Sequence, residues 1–346
     1  MRIRVVSQGS DPRIFHVGDG ERLLYAGLAQ GVLLPYECGT GTCGQCRAVL
    51  EEGTVADLWP EAPGHKFKRR DRNEILMCQT HACSDCVLHL PSATVASLAN
   101  FQPPSEFNGL ILGAETLSPD VLRLRIRVGR PFKSLPGQFV LLEADLIDGP
   151  RAYSLTTSER TTEFDLLIRR KVGGILTEWL FSKECIGQSI KLFGPLGRSV
   201  FQMESDKDLL LAAGGTGVAS TVAILRAAIK VAHLEFHTAT VFFGVRTPED
   251  LFYLDELQAL TEAAPKEALK INICFSHASP PSTAAPSGLH FRNGFVHEIV
   301  KQDLPTVNLA ETTALLSGPP PMIDAMLTTL IKAKFPARNI RYDKFS

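Results

Sequence analysis

The sequence predicts a multidomain fold of mixed class, α+β and α/β: a small mixed domain, then an antiparallel β-barrel, then a parallel sheet covered by helices. Three observations carry this reading. Six of the eight cysteines fall between positions 38 and 86. Short β-like runs recur between turn residues from about 106 to 203, and a rhythm of strand, glycine turn and helix takes over after about 204. At 346 residues the chain also exceeds what one hydrophobic core comfortably serves, which sets an expectation of two or three domains.

Composition narrows the function classes. The chain is 45% hydrophobic and 21% charged, which suits a globular protein and leaves no case for disorder. A formal net charge of −1 argues against a general nucleic-acid binder, which needs excess Lys and Arg to displace phosphate counterions. No run approaches the length of a membrane span, and the polar start Met1-Arg2-Ile3-Arg4 interrupts any signal-peptide core. The expected location is the cytoplasm.

The N-terminal domain is placed at 1–98. Ile3-Arg4-Val5 and Cys86 to Pro91 alternate as strands do, and Leu23 to Gly31 has helical spacing. Ala99 to Ser105 carries Pro103 and Pro104, each of which removes a backbone donor and restricts its predecessor, so 99–105 is expected to be a linker.

Within the first domain, Cys38, Cys43 and Cys46 form C-x4-C-x2-C, with Cys78 lying 32 residues further on. This is the plant-type [2Fe–2S] spacing. Two bridged irons need four thiolates, and one loop supplies three only if its backbone curls tightly. Gly39, Gly41 and Gly44 permit that curl and offer unobstructed N–H groups to sulfur. Zinc, the rival metal, usually takes two short knuckles, which this single loop does not resemble. A second C-x4-C-x2-C, Cys78, Cys83 and Cys86, contains no glycine, so Cys83 and Cys86 are read as small packing residues. His81 and His89 could imitate Rieske ligands, but four loop-compatible cysteines make them unnecessary.

This segment resembles the N-terminal β-grasp ferredoxin domain of reductases that serve bacterial Rieske dioxygenases and diiron monooxygenases. The remaining motifs follow the same pattern. In the expected barrel domain, 106–203, strands are read at Gly109–Leu112, Val121–Ile126, Gln138–Leu142, Phe164–Arg169 and Ser189–Phe193. Arg151-Ala152-Tyr153-Ser154 resembles the R-x-Y-S motif of the ferredoxin–NADP reductase superfamily. That resemblance assigns Arg151 to the flavin pyrophosphate, Tyr153 to the flavin face and Ser154 to the vicinity of N5. A bidentate cation and an aromatic ring suit those tasks. Gly173 and Gly174 lead through Leu176 and Thr177 into an apolar helical run, and a glycine turn at a helix start presents N–H groups to phosphate. With Ile168 and Arg169 before it, this element resembles the family's adenylate side, which implies FAD rather than FMN.

In the last domain, 204–346, the strand Asp208–Ala213 runs into Gly214-Gly215-Thr216-Gly217, a place for a dinucleotide pyrophosphate in a Rossmann-like fold. Helices are read through Ala232 and from Leu251, with strands at Ala239–Val245 and Thr313–Leu316. Ser317-Gly318-Pro319-Pro320-Pro321-Met322 resembles C-G-P-P-x-M, whose first residue sits beside the nicotinamide; serine stands here in that place. The resemblance makes Phe345 the aromatic cover of the flavin. Glu249 or Asp250 could take a ribose hydroxyl and Arg246 a 2′-phosphate, with NADH preferred over NADPH.

The resemblance spans the chain in the order ferredoxin, FAD domain, NAD domain. It implies an NADH-dependent reductase that passes hydride to FAD and single electrons through the [2Fe–2S] cluster. The recipient would be a terminal oxygenase or hydroxylase component, or an intermediate ferredoxin, in aromatic hydrocarbon catabolism. The alternatives are a reductase for a deoxysugar dehydrase, and a carrier or redox sensor with inactive flavin and nicotinamide domains. The first 98 residues hold 10 Lys and Arg against 11 Asp and Glu, so partner recognition would rest on local patches such as Lys66-Phe67-Lys68-Arg69-Arg70.

Overall fold

The computed structural model describes residues 1–91, 102–157 and 160–345. Of the expected linker, 99–101 lie outside the described residues, and Ser105 already opens the first barrel strand.

The N-terminal domain is built from β1 (Arg2–Ser7), β2 (Ser10–His16), α1 (Leu23–Ala29), β3 (Arg47–Glu52), β4 (Val55–Asp57), β5 (Glu74–Leu76), β6 (Thr80–Ala82) and β7 (Cys86–Leu90). Its main sheet has the order β2-β1-β7-β3-β5, with β1 and β7 parallel and the other pairs antiparallel. Pro12 lies in β2, an edge strand, where a missing N–H costs the ladder nothing. Helix α1 buries Leu23, Leu24 and Leu28, with Ile3, Phe15 and Leu88 in the same core.

The second domain comprises β8 (Ser105–Ser118), β9 (Val121–Phe132), β10 (Phe139–Glu143), β11 (Arg151–Ser154), β12 (Thr161–Arg169), α2 (Ile175–Ser182) and β13 (Ser189–Leu196). The order β11-β10-β13-β8-β9-β12 is antiparallel throughout, and a bridge between Leu155 and Leu166 joins its two ends into a barrel. Alternation along β12 turns Phe164, Leu166 and Ile168 into the barrel core.

The third domain comprises β14 (Asp208–Gly214), α3 (Val218–Lys230), β15 (Ala239–Val245), α4 (Leu254–Ala263), β16 (Leu269–Phe275), β17 (Leu289–Asn293), α5 (Val296–Asp303), β18 (Thr312–Gly318), α6 (Pro320–Lys332) and β19 (Ile340–Lys344). All its strands are parallel, in the order β17-β16-β15-β14-β18-β19. The order reverses between β14 and β18, so the turns after these two strands open on one crevice. The helix expected from Leu251 begins at Leu254, because Thr247 and Asp250 cap a separate 3₁₀ turn over Pro248–Asp250 and Tyr253 takes a left-handed φ of 66°.

The domains share buried surface. Phe139, Leu141, Phe193 and Leu196 of the barrel belong to the same apolar cluster as Tyr25, Leu28 and Leu76 of the first domain. The Tyr25 and Phe193 rings stack at 4.6 Å, and the Tyr36 hydroxyl accepts the Gly197 N–H at 3.2 Å. On β19, the buried Asp343 accepts the N–H groups of Arg198 and Ser199 at 3.1 and 3.0 Å, tying the last strand to the end of the barrel.

Burial raises the Asp343 carboxyl from its ordinary 3.8 to about 6, against the lowering effect of the two backbone N–H groups. Between about pH 4 and pH 6 the folded chain therefore binds more protons at this position than the unfolded chain. Its stability falls as the pH rises through that window, by about 3 kcal/mol in total. Denaturant titrations from pH 4 to pH 7 should show this decline, and Asp343→Asn should flatten it.

Candidate electron-transfer site

The loop from Cys38 to Cys46 precedes β3, and Cys78 sits in a 3₁₀ turn, Met77–Gln79, between β5 and β6. Folding β5 alongside β3 brings Cys78 back to the loop. The Sγ atoms of Cys38 and Cys43 lie 3.2 Å apart, as do those of Cys46 and Cys78. Cys38, Cys46 and Cys78 are buried, while Cys43 is partly exposed.

Polar groups of the loop point at the sulfurs. The Thr40 N–H reaches Cys38 at 3.4 Å, the Gln45 N–H reaches Cys43 at 3.5 Å and the Gln79 side-chain amide reaches Cys78 at 3.9 Å. The Cys38 thiol is drawn down to about 4, chiefly by the hydrogen bond it accepts from Cys43 and, against burial, by Thr40 and Thr42. Cys43 and Cys78 are pushed up, each first by the hydrogen bond with its paired sulfur and then by burial.

These residues fit a two-iron cluster. Among the described residues no three His, Cys, Asp or Glu side chains converge on a single-ion site. Zinc would need four ligands aimed at one point, whereas the thiols stand as two pairs, which two irons can share. Gly41, at φ +88°, has a hydrogen where a Cβ would lie 2.8 Å from the Gln79 side chain, so the loop closes on that residue without room for a methyl. Of the remaining cysteines nearby, Cys83 is exposed, and the Cys86 sulfur faces the carbonyls of Thr54 and Ser84 at 3.6 and 3.2 Å. Both stand apart from the four paired thiols in these contacts.

A cleft of about 1680 Å³ runs between the domains. That exceeds the space one small ligand occupies. Arg151, Tyr153 and Ser154, all on β11, line it together with Arg169, Gly173, Gly174, Leu176 and Thr177. The Arg151 guanidinium donates to the carbonyls of Gly149 and Pro150 at 3.3 and 3.1 Å, which holds it at the rim. Burial raises the Tyr153 phenol, whose ring lines the cleft.

Two sequence expectations shift here. Ile168 does not line the cleft: strand alternation sends Leu167 and Arg169 outward and packs Ile168 in the barrel core. The Thr177 hydroxyl is spent within its own turn, bonding the N–H and carbonyl of Lys171 at 3.1 and 3.0 Å. It fixes the glycine turn, whose Gly173 and Gly174 line the cleft. Arg169, in turn, is ion-paired to Asp120 at 2.7 Å and approaches Asp250 at 3.7 Å.

At the sheet's switch point, Gly214, Gly215, Thr216 and Gly217 face Gly318, Pro319 and Met322 across the crevice. A Cβ on Gly217 would lie 2.4 Å from the Ser317 carbonyl oxygen, so the two turns touch only because that residue is glycine. Ser317 lies one residue behind the cleft wall, 3% exposed, and its Oγ has no hydrogen-bond partner. Phe345 donates its N–H to the Gly318 carbonyl at 3.0 Å, lines the cleft and meets Phe139 edge-on at 5.3 Å.

Family models match each part of this arrangement: the 2Fe-2S iron-sulfur cluster binding domain over residues 5–83, the oxidoreductase FAD-binding domain over 110–201 and the oxidoreductase NAD-binding domain over 211–328. The chain is 33% identical to the ferredoxin–NAD(+) reductase component of an alkene monooxygenase system from Xanthobacter autotrophicus, an alignment that covers 97% of this chain and 99% of the other. The chain belongs to the ferredoxin–NAD(P)(+) reductases. It is also 31% identical to a ferredoxin–NAD(P)(+) reductase of Metapseudomonas resinovorans, over 95% of each chain. Among solved structures, a ferredoxin reductase in carbazole 1,9a-dioxygenase superposes with a TM-score of 0.81 at 30% identity, covering 100% of this chain and 99% of that one.

This reductase therefore carries a [2Fe–2S] cluster, FAD and a nicotinamide dinucleotide. Sequence reading missed part of its cleft: Leu58, Trp59, Pro60 and Glu61 of the first domain line it, as does Arg22, whose guanidinium lies 3.7 Å from Glu143 of the barrel. No local motif marks these residues, since only domain packing brings them there.

The Gly41 contact gives a direct test. Gly41→Ala demands a left-handed conformation and displaces Gln79, at a cost of about 1–2 kcal/mol from the conformation alone. Purified variant should retain flavin absorbance while losing most of its iron and the cluster's visible bands.

Proposed function

We propose that the reductase oxidises NADH in the cytoplasm and supplies electrons singly to the oxygenase component of a multicomponent system. The observation that carries this reading is the shared cleft. Arg151, Tyr153 and Ser154 of the barrel, both glycine turns of the third domain, and Thr40 and Gln79 beside the thiols all line it. When bound, the flavin exchanges a two-electron hydride for single electrons and the cluster carries them one at a time.

The chain's own residues hold and shield these groups. Arg151 takes the flavin pyrophosphate, the Tyr153 ring packs against the flavin and the Ser154 hydroxyl serves the hydride-accepting edge. The α2 turn at Gly173 and Gly174 supports the adenylate side. Gly215, Thr216 and Gly217 receive the nicotinamide dinucleotide's pyrophosphate. Gly318 and Pro319 wall the nicotinamide, with Ser317 buried directly behind them. Phe345 covers the flavin against water. Cys38 and Cys43 bind one iron, Cys46 and Cys78 the other.

The relatives are named for alkene, carbazole, phenol and naphthalene oxygenase systems, which favours a hydrocarbon-oxidising partner over a deoxysugar dehydrase. The closely apposed glycine turns that line the cleft argue against an inactive carrier. No helix among the described residues is long and apolar enough to cross a membrane, and sparse free thiols suit a reducing compartment.

NADH is preferred because Arg246 is already engaged. Its guanidinium pairs with Asp250 at 3.2 Å and approaches Asp120 at 3.6 Å. Asp250 is held as an acceptor by the Thr247 N–H at 3.1 Å. A 2′-phosphate would have to compete with both carboxylates for the cation. Asp250→Asn should raise the kcat/KM ratio of NADPH to NADH about tenfold, read from initial rates of ferricyanide reduction.

The whole reading predicts NADH-dependent reduction of cytochrome c by the purified holoenzyme. Cys78→Ser should abolish it while sparing ferricyanide reduction through the flavin. Cys83→Ser and Cys86→Ser should leave both activities and the cluster's visible spectrum intact. Cluster loss from either of the latter variants would overturn the ligand set, and a holoenzyme inert toward NADH would overturn the function.

A further inference from the structure

The two ends of the thiol loop face different surroundings. At one end, the position of a Cβ on Gly39 lies 3.1 Å from the Leu141 side chain, so this end rests on the barrel, and the Tyr25 hydroxyl donates to the Gly39 carbonyl at 2.9 Å. At the other end, a Cβ on Gly44 would lie 2.7 Å from the Phe67 ring. Cys43, the partly exposed thiol, belongs to this second end.

Phe67 is 45% exposed although it is large and apolar. It is fixed to the loop rather than splayed: Arg47, one residue past Cys46, donates to its carbonyl, and the Gly64 N–H donates to the Gly41 carbonyl at 2.9 Å. Cations predominate in the segment that carries the ring, flanked by Glu61, by Glu74 and by Asp57, which pairs with His65 at 3.1 Å. Residues 65–72 hold five Lys and Arg against the single carboxylate Asp71. Lys66 lies over the Phe67 ring at 4.9 Å, and Glu74 accepts the backbone N–H of Arg69 at 2.7 Å. Among the described residues none of Lys66, Lys68 and Arg69 is ion-paired within 4.0 Å, and the Nε of Arg47 is buried without a partner. The chain as a whole is near neutral, at −1, so this is a local field rather than an overall basicity.

From this geometry we propose that Phe67 and the cations Lys66, Lys68 and Arg69 form the docking face for an electron-accepting protein whose own surface is acidic around its redox centre. The proposal rests on the electron-transfer function given above and names the surface through which it is exercised. The apolar ring seals the centre of the contact next to the partly exposed thiol, and the surrounding cations steer and orient the acceptor. A local excess of cations around a small apolar centre chiefly raises the association rate and selects orientation, and its effect fades with ionic strength. The barrel occupies the Gly39 end, so the acceptor and the flavin site do not compete for one surface.

The test uses the holoenzyme and two probe acceptors of opposite charge, acidic cytochrome b5 and basic cytochrome c. The triple variant Lys66→Glu, Lys68→Glu, Arg69→Glu changes exposed or partly exposed side chains outside the cofactor sites. At low ionic strength it should reduce cytochrome b5 about tenfold more slowly and cytochrome c faster than the unaltered protein, with the differences vanishing at high salt. Calorimetric titration with oxidised cytochrome b5 should show binding weakened by a similar factor. Unchanged rates and unchanged binding for both probes would overturn the docking face. NADH-driven ferricyanide reduction and NADH-dependent bleaching of the cluster separate this result from the function itself. If they persist in the variant, a negative result concerns the surface alone. If they are missing in the unaltered protein, the electron-transfer reading has failed.

Discussion

The placement of the thiol loop against the barrel depends on one patch of shared apolar surface. Tyr25 stacks on Phe193, its hydroxyl holds the Gly39 carbonyl, and Leu141 fills the space a side chain at Gly39 would need. Aromatic stacking of this kind adds about 1 kcal/mol beyond area burial. Its larger consequence is positional. The four thiols come from two segments of the first domain, and only through this patch do Thr40 and Gln79 reach the same cleft as β11. A domain tethered by its linker alone would leave that distance undefined.

A second constraint acts on the opposite side of the cleft. The reversal of strand order between β14 and β18 makes two glycine turns converge, and the Gly217 contact with Ser317 shows how little room separates them. An ionic seam crosses from barrel to nucleotide domain: Asp120 with Arg169 and Arg246, and both arginines with Asp250. Half-exposed pairs of this sort contribute little stability individually. As a closed network they fix the orientation of the cleft walls and occupy the cations there.

Much of this was readable from short sequence signals because the chemistry is local. The C-x4-C-x2-C loop, the R-x-Y-S strand and the glycine turn after β14 each put their functional groups within a few residues, where backbone geometry alone determines what can face a ligand. Strands such as β2 and β19 were silent for the converse reason. Ser-Asp-Pro-Arg-Ile-Phe-His has no clean alternation and Ile-Arg-Tyr-Asp-Lys alternates over only four residues, and they exist as strands because β1 and β18 pair with them. The assignment of Ile168 shows the same limit on a smaller scale, since a motif identifies a strand but the pleat decides which of its residues face outward.

The sequence by itself determined the cofactor set, the order of the domains and the four thiols, because spacing along a chain constrains any site made by one loop and one returning strand. It also exposed the run of cations at 66–70, without deciding whether that run was an ordinary solvated loop. The tertiary structure decided everything that depends on two distant segments meeting. Trp59 and Arg22 entered the cleft between the domains, Arg246 became bound by Asp120 and Asp250, and the Thr177 hydroxyl turned inward to its own loop. Phe67 came to rest on Gly44 beside the partly exposed thiol. These outcomes follow from packing between domains, which acts on surfaces assembled only after folding and leaves no periodic trace in the chain.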